Sequence, residues 1–78
     1  MTGKTRQNLE KLFVNESVGA ARTRIFALKA EKEGYTHIAR LFSAIQESRS
    51  VKAQRFLRLL RGTIGSTEEN LREVFEND

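Results

Sequence analysis

Two fixed positive charges interrupt an otherwise apolar stripe in the second half of the chain. Arg49 and Lys52 lie in the stretch ESRSVKAQRF, residues 47–56, where the three-and-four spacing of apolar residues would continue. The corresponding stripe in the first half contains a single acid, Glu16. A carboxylate and two cations can form ion pairs inside a helix seam, provided that the register of the two segments brings them together.

Other chemically reactive residue types are scarce. The chain has no cysteine, so neither a thiolate metal site nor a cysteine nucleophile is available. Its one histidine, His37, lies beside Gly34, about four helical turns from Lys52. We interpret this histidine as solvent-exposed or helix-capping rather than as a metal ligand.

The spacing of apolar and small residues predicts an all-α fold, an antiparallel helical hairpin followed by a short third helix. Gly34 and Gly62 supply left-handed stops after the two long helices. Ser66 or Thr67 caps the third helix. The absence of proline fits long uninterrupted helices. The predicted helices span residues 5–33, 36–61 and 67–76.

The register of this hairpin brings the acid and the bases together. When apolar positions are paired across the turn, the two residue numbers of each pair sum to 68. The same rule places Glu16 opposite Lys52 and Gly19 opposite Arg49. We therefore expect an ion-pair cluster of Glu16, Arg49 and Lys52, with Gly19 leaving room for the arginine. The alternative is a rotated second helix whose two bases reach solvent.

The start of the chain is repeated near its end. TRQNLEKLFVNE, residues 5–16, matches TEENLREVFEND, residues 67–78, at an offset of 62. A repeat of this kind indicates a duplicated structural unit, although two amphipathic helix starts can also agree by coincidence. The chain then consists of one hairpin and the first third of a second, with Asp78 at the position equivalent to Glu16.

Length and composition favour a small, self-associating protein. A single domain over residues 1–78 buries little apolar surface alone, so we predict a homodimer that forms a four-helix bundle, with another protein partner as an alternative. No apolar run reaches the roughly 20 residues of a membrane span. The polar start MTGKTRQN lacks a signal-peptide core. We expect a cytoplasmic protein with no membrane partner.

The net charge of +4 permits an anionic partner. However, the bases of the second helix recur every three residues, so successive charges turn by about 60° around the helix and form no single basic face. Binding of nucleic acid by a small basic dimer is therefore an alternative function that no motif supports. The bases concerned are Arg49, Lys52, Arg55, Arg58 and Arg61.

The sequence resembles the first helical hairpin of the rubrerythrins, which are ferritin-like di-iron four-helix-bundle proteins. The resemblance covers residues 5–78. It is most specific at NES around Glu16, at Arg22, in AEKEGYTHIARLF and in AQRF late in the second helix. It implies that each hairpin contributes one Glu from its first helix and a Glu-x-x-His pair from its second to the metal site.

In this resemblance Glu16 matches the first-helix ligand, and Asp78 matches its equivalent in the second hairpin. Arg49 and Lys52 occupy the positions of the Glu-x-x-His pair, and neither offers a lone pair at neutral pH. The side chains of two hairpins would therefore give the site a net charge of about +2 before any metal entered it. We expect no catalytic residue and no metal or other cofactor, with di-iron as the alternative.

These observations predict a non-catalytic structural or interaction homodimer with a degenerate di-iron site. The alternative is a di-iron oxidoreductase, a peroxide reductase of the rubrerythrin type. If the chain is a piece of a longer two-hairpin protein, the second hairpin would bring its own Glu-x-x-His. Half of the metal site would still face Arg49 and Lys52.

Overall fold

A computed structural model describes residues 1–76 of the chain. These residues form three helices and no strand: α1 (Gly3–Lys32), α2 (Thr36–Arg61) and α3 (Thr67–Glu76). The all-α prediction of a hairpin followed by a short helix is confirmed, since α1 and α2 pack against each other. None of the three helices is apolar over a length sufficient to cross a membrane.

The ends of α1 are set by local hydrogen bonds. The helix begins at Gly3, before the predicted residue 5, because Thr2 Oγ1 accepts a hydrogen bond from the Thr5 N–H at 3.1 Å and so caps it. At the other end, Gly34 has a φ of +86°. The Tyr35 N–H donates to the Ala30 carbonyl at 2.8 Å, which is one of the two bonds of a Schellman motif. Glycine adopts this left-handed conformation without a steric cost, so the hairpin turn forms here.

The seam between α1 and α2 is built from small side chains. Small residues let two helices approach closely, but they remove little apolar area from water. Larger apolar residues lie on the flanks of the seam, where Leu41 is 58% exposed and Leu59 is 57% exposed. The hairpin alone therefore leaves much of its apolar surface in water. The buried apolar residues are Ala20, Ala27, Ala30, Ala39 and Ala53.

The third helix is held by its cap and by an ion pair with α2. The Ser66 N–H donates to Glu69 Oε1 and the Glu69 N–H donates to Ser66 Oγ, both at 3.2 Å, which is the reciprocal pattern of a capping box. The backbone hydrogen bond from Ser66, together with its side-chain bond, lowers the pKa of Glu69. Arg61 lies 2.9 Å from Glu73 Oε1, and its hydrogen bond lowers the pKa of the Glu73 carboxyl. Within residues 1–76, α3 makes no helix-to-helix packing contact.

Candidate functional site

Glu16 and Arg49 meet across the seam, midway along the hairpin. The Arg49 Nη1 atom lies 3.7 Å from Glu16 Oε2, and the two side chains are 42% and 18% exposed. Glu16 projects from α1 and Arg49 from α2, so the pair joins the two helices directly. Because the carboxylate is mostly withdrawn from water and the guanidinium is half exposed, this is a partly buried ion pair.

Gly19 makes space for the arginine. A Cβ atom on Gly19 would lie 2.6 Å from Arg49 Nη1 and 2.8 Å from its Cδ, closer than real Cβ contacts. Gly19 itself is buried in the seam. The side chain of Arg49 therefore fills the volume that any larger residue at position 19 would need, as the register predicts.

The carboxylate of Glu16 lacks a hydrogen-bond donor within residues 1–76. Its Oε2 atom is out of contact with water and has no hydrogen-bond partner. The 3.7 Å separation from Arg49 is too long for a hydrogen bond, so the attraction between the two is Coulombic. A buried charged oxygen without a donor costs free energy, and this one leaves the site incomplete.

Lys52 does not join this pair. It is exposed, and it lies beside a shallow surface cleft with Glu47, Ser48 and Arg55. A three-residue step along a helix turns by 300°, so Lys52 lies about 60° around α2 from Arg49. This rotation places Arg49 in the seam and Lys52 on the flank. The structure therefore brings together two members of the predicted cluster, and it leaves the third outside it.

Aromatic side chains of α1 and α2 meet near the turn. The rings of Phe26 and Phe42 lie with their centroids 5.7 Å apart and tilted by 59°. They border an open apolar groove of about 370 Å³ that also contains Ala30 and Ile38. The apolar spacing identified these residues, but it did not indicate that they would form a groove.

The remaining candidate ligands lie outside the site. His37 is exposed in the first turn of α2, as predicted, and lies near the turn of the hairpin, whereas Glu16 lies midway along α1. Asp78, predicted as a possible second ligand position, lies outside the described residues. Within residues 1–76, no three His, Cys, Asp or Glu side chains come together in a group that would hold a metal ion. The contact between Glu16 and Arg49 brings one carboxylate and one guanidinium to the middle of the seam.

Comparison with known proteins places the chain next to one set of relatives. It is 38% identical over 81 aligned residues to a rubrerythrin of Porphyromonas gingivalis, an alignment that covers 88% of this chain. Rubrerythrin-1 of Clostridium acetobutylicum is 37% identical over 73% of the chain. These similarities support a rubrerythrin-like family. A rubrerythrin of Clostridium perfringens agrees with this, at 36% identity over 74% of the chain.

The similarity is partial with respect to the relatives. This rubrerythrin-like chain spans 40% of the length of the Porphyromonas protein and 29% and 30% of the two clostridial ones. No protein-family model matches the chain. No solved structure matches it significantly either. The likeness to rubrerythrins therefore covers most of this chain but less than half of each relative.

Proposed function

We propose that this rubrerythrin-like hairpin forms a non-catalytic homodimer, a structural or interaction module in which an ion pair lies where a di-iron centre would be. The observation that carries the proposal is the contact between Glu16 and Arg49. It joins the one matched ligand position to a position where the family resemblance expects an acid. A guanidinium is always charged and has no lone pair to offer, so it opposes a metal ion at this place.

The exposed area of the hairpin supports self-association. The chain exposes 6443 Å². A folded monomer of 8.9 kDa is expected to expose about 4800 Å². If each chain removed the excess of about 1600 Å² from water, a dimer would bury about 3200 Å² in total, which lies in the range of obligate dimers.

The surface of α2 supplies a suitable interface. A stripe of apolar side chains runs along the flank of this helix with a spacing of about seven residues, typical of helix-on-helix packing. Within residues 1–76, none of its apolar side chains is buried: Ile45 is half-buried and the others are exposed. A second hairpin laid against this flank and the adjoining groove would complete a four-helix bundle. The stripe consists of Ile38, Leu41, Ile45 and Leu59, with Lys52 among them.

One observation favours a second candidate, a di-iron oxidoreductase of the rubrerythrin type. All three relatives described above carry the name rubrerythrin. Against it, each copy of the hairpin brings Glu16 as one carboxylate and Arg49 and Lys52 as two cations. The net positive charge of these three side chains repels divalent ions in a weakly hydrated core.

Iron binding separates the two candidates. The 78-residue chain is refolded with ferrous iron, desalted and analysed for iron, and peroxide consumption is then measured. We expect no iron above a protein-free blank and no peroxide-dependent oxidation. About two irons per dimer with peroxide-dependent oxidation would overturn the proposal.

A gain-of-function variant provides the positive control for this experiment. The double variant Arg49→Glu/Lys52→His restores the Glu-x-x-His pair, so it should bind about two irons per dimer. The matched control Arg55→Glu/Arg58→His makes the same change on exposed positions of the same helix and should bind none. Absence of iron in the first variant would contradict the assignment of positions 49 and 52.

A further inference from the structure

Lys52 has an unusual environment for a lysine. It interrupts the exposed apolar stripe of α2, between Ile45 and Leu59 at a spacing of seven residues. Within residues 1–76 it makes no ion pair with Glu16, although the pairing of apolar positions predicts that the two lie opposite each other. When a second copy covers this stripe, the ammonium group loses contact with water. A buried cation of this kind needs an anionic partner.

Glu16 lacks a hydrogen-bond donor in its own chain, within residues 1–76. Its Oε2 atom is withdrawn from water and accepts no hydrogen bond from the described residues of its own chain. The side chain as a whole keeps 18% of its surface exposed, and this exposed part is what a second copy can reach. Arg49 balances part of its charge from 3.7 Å, but the guanidinium is 42% exposed and does not donate to it. The carboxylate can accept several hydrogen bonds, and a lysine ammonium can donate three.

We propose that Lys52 of one copy donates to Glu16 of a second copy, so that each site is completed across the dimer. Each carboxylate then has two cationic neighbours, Arg49 of its own chain and Lys52 of the partner subunit. This inference rests on the homodimer proposed above and specifies which residues close it. It also accounts for the position of Lys52, because the stripe that carries it is the surface the second copy covers.

The pairing has a consequence for partner choice. A lysine in an apolar interface disfavours any partner that presents no carboxylate at the matching place, because the cation would be buried unpaired. The stripe therefore selects a second copy of this chain, which carries Glu16, over a generic apolar surface. The two symmetry-related contacts follow from the isologous packing of a twofold dimer.

Mixing two charge-reversed chains tests the proposal. In Glu16→Lys homodimers two lysines would oppose each other at each site, and in Lys52→Glu homodimers two glutamates would do so. Each variant should therefore dimerise at least about tenfold more weakly than the wild type. In an equimolar mixture, both sites of the heterodimer pair opposite charges, so native mass spectrometry of differently tagged chains should show heterodimer in large excess. A mixture that dimerises no better than the separate variants overturns the proposal, because pairing within one chain cannot be rescued by mixing.

Two further variants keep the test decisive. The double variant Glu16→Lys/Lys52→Glu restores both contacts within a homodimer and should dimerise like the wild type. The control Glu47→Lys reverses an exposed acid near Lys52 that lies off the stripe, and it should leave dimerisation unchanged. If circular dichroism shows that Glu16→Lys does not fold, Glu16→Gln and Lys52→Gln are measured singly and together. Non-additive effects on the dimer dissociation constant then support the contact, and additive effects overturn it.

The two proposals can fail separately. If the wild-type chain sediments as a dimer but mixing gives no rescue, the homodimer stands and the contact between Glu16 and the partner's Lys52 does not. If the wild-type chain sediments as a monomer at all concentrations, both proposals are overturned.

Discussion

Gly19 and Arg49 share one volume in the seam, and this close approach determines how the candidate site responds to substitution. The guanidinium reaches Glu16 by passing over the Gly19 backbone, where a Cβ atom would be 2.6 Å from Nη1. A glycine in the middle of a helix is normally a liability of about 1 kcal/mol relative to alanine. Here that liability is offset by the space that it leaves for the ion pair.

Gly19→Ala should destabilise the wild-type protein by about 1 kcal/mol, because overpacking outweighs the gain in helix propensity. In an Arg49→Ala background the same change should stabilise the protein by about 1 kcal/mol, since the arginine side chain that would crowd the new Cβ atom is absent. Denaturant unfolding of the four chains measures both effects. Stabilisation by Gly19→Ala in both backgrounds would contradict the packing described here. Gly3→Ala is the control, because nothing lies within 4 Å of a Cβ there.

The arrangement of these residues could be predicted from sequence in part. Stripe pairing across the turn placed Gly19 opposite Arg49, and the close approach of the two agrees with this. The same pairing also placed Glu16 opposite Lys52, which the single chain does not bring together. The spacing of residues specifies a position along the seam, but it does not specify the rotation of about 60° that moves Lys52 from the seam to the flank.

At the scale of helices, α3 differs from the other two because it makes no packing contact with them within residues 1–76. Its order depends on the Ser66 cap, on the ion pair between Arg61 and Glu73, and on the pairing of Arg72 with Glu68 at 2.8 Å. The cap was readable from local sequence, since Ser66 precedes Glu69 by three residues. The lack of packing was not, because it depends on where the loop directs the helix.

Ser66→Ala should remove about 1 kcal/mol from the stability of α3 by deleting the cap. The Cα chemical shift of Leu71 should move toward its unfolded value, while the shifts of residues in α1 and α2 remain unchanged. Thr63→Ala, in the preceding loop, is the matched control and should have no such effect. Loss of structure throughout the hairpin would show that α3 is packed rather than separate.

The order of α3 should also decline in acid. The pKa of Glu69 is lowered by hydrogen bonds from Ser66, and that of Glu73 is lowered by Arg61, both from an ordinary value of 4.5. A lowered pKa in the folded state contributes stability that is present above pH 4.5 and is lost as the pH falls through the folded value. Amide hydrogen exchange in α3 should therefore accelerate, relative to its intrinsic rate, below that pH. The variant Glu69→Gln/Glu73→Gln should lack this dependence, and greater protection on acidification would contradict it.

At the scale of the whole molecule, a hairpin with an alanine seam leaves most of its larger apolar side chains uncovered. Composition and length predicted that one hairpin would bury too little surface, and the exposure of Leu41 and Leu59 agrees with that expectation. Which side of the hairpin remains uncovered could not be read from the sequence. That depends on the rotation of each helix about its axis.

Leu41→Glu should weaken self-association by about 100-fold, or about 3 kcal/mol, because it buries a charge in the stripe proposed as the interface. Ser43→Glu introduces the same residue at an exposed position about 160° around α2 from Leu41 and should leave association unchanged. Sedimentation velocity over a range of concentrations gives both dissociation constants. Equal effects of the two substitutions would place the interface elsewhere.

The proposed homodimer has ion pairs in place of a metal centre. Its most direct test is a sedimentation-equilibrium mass of the 78-residue chain, measured on a sample refolded with ferrous iron and analysed for iron content. We predict a mass close to twice 8.9 kDa with no bound iron. A monomer at every concentration, or a dimer that retains about two irons, would contradict it.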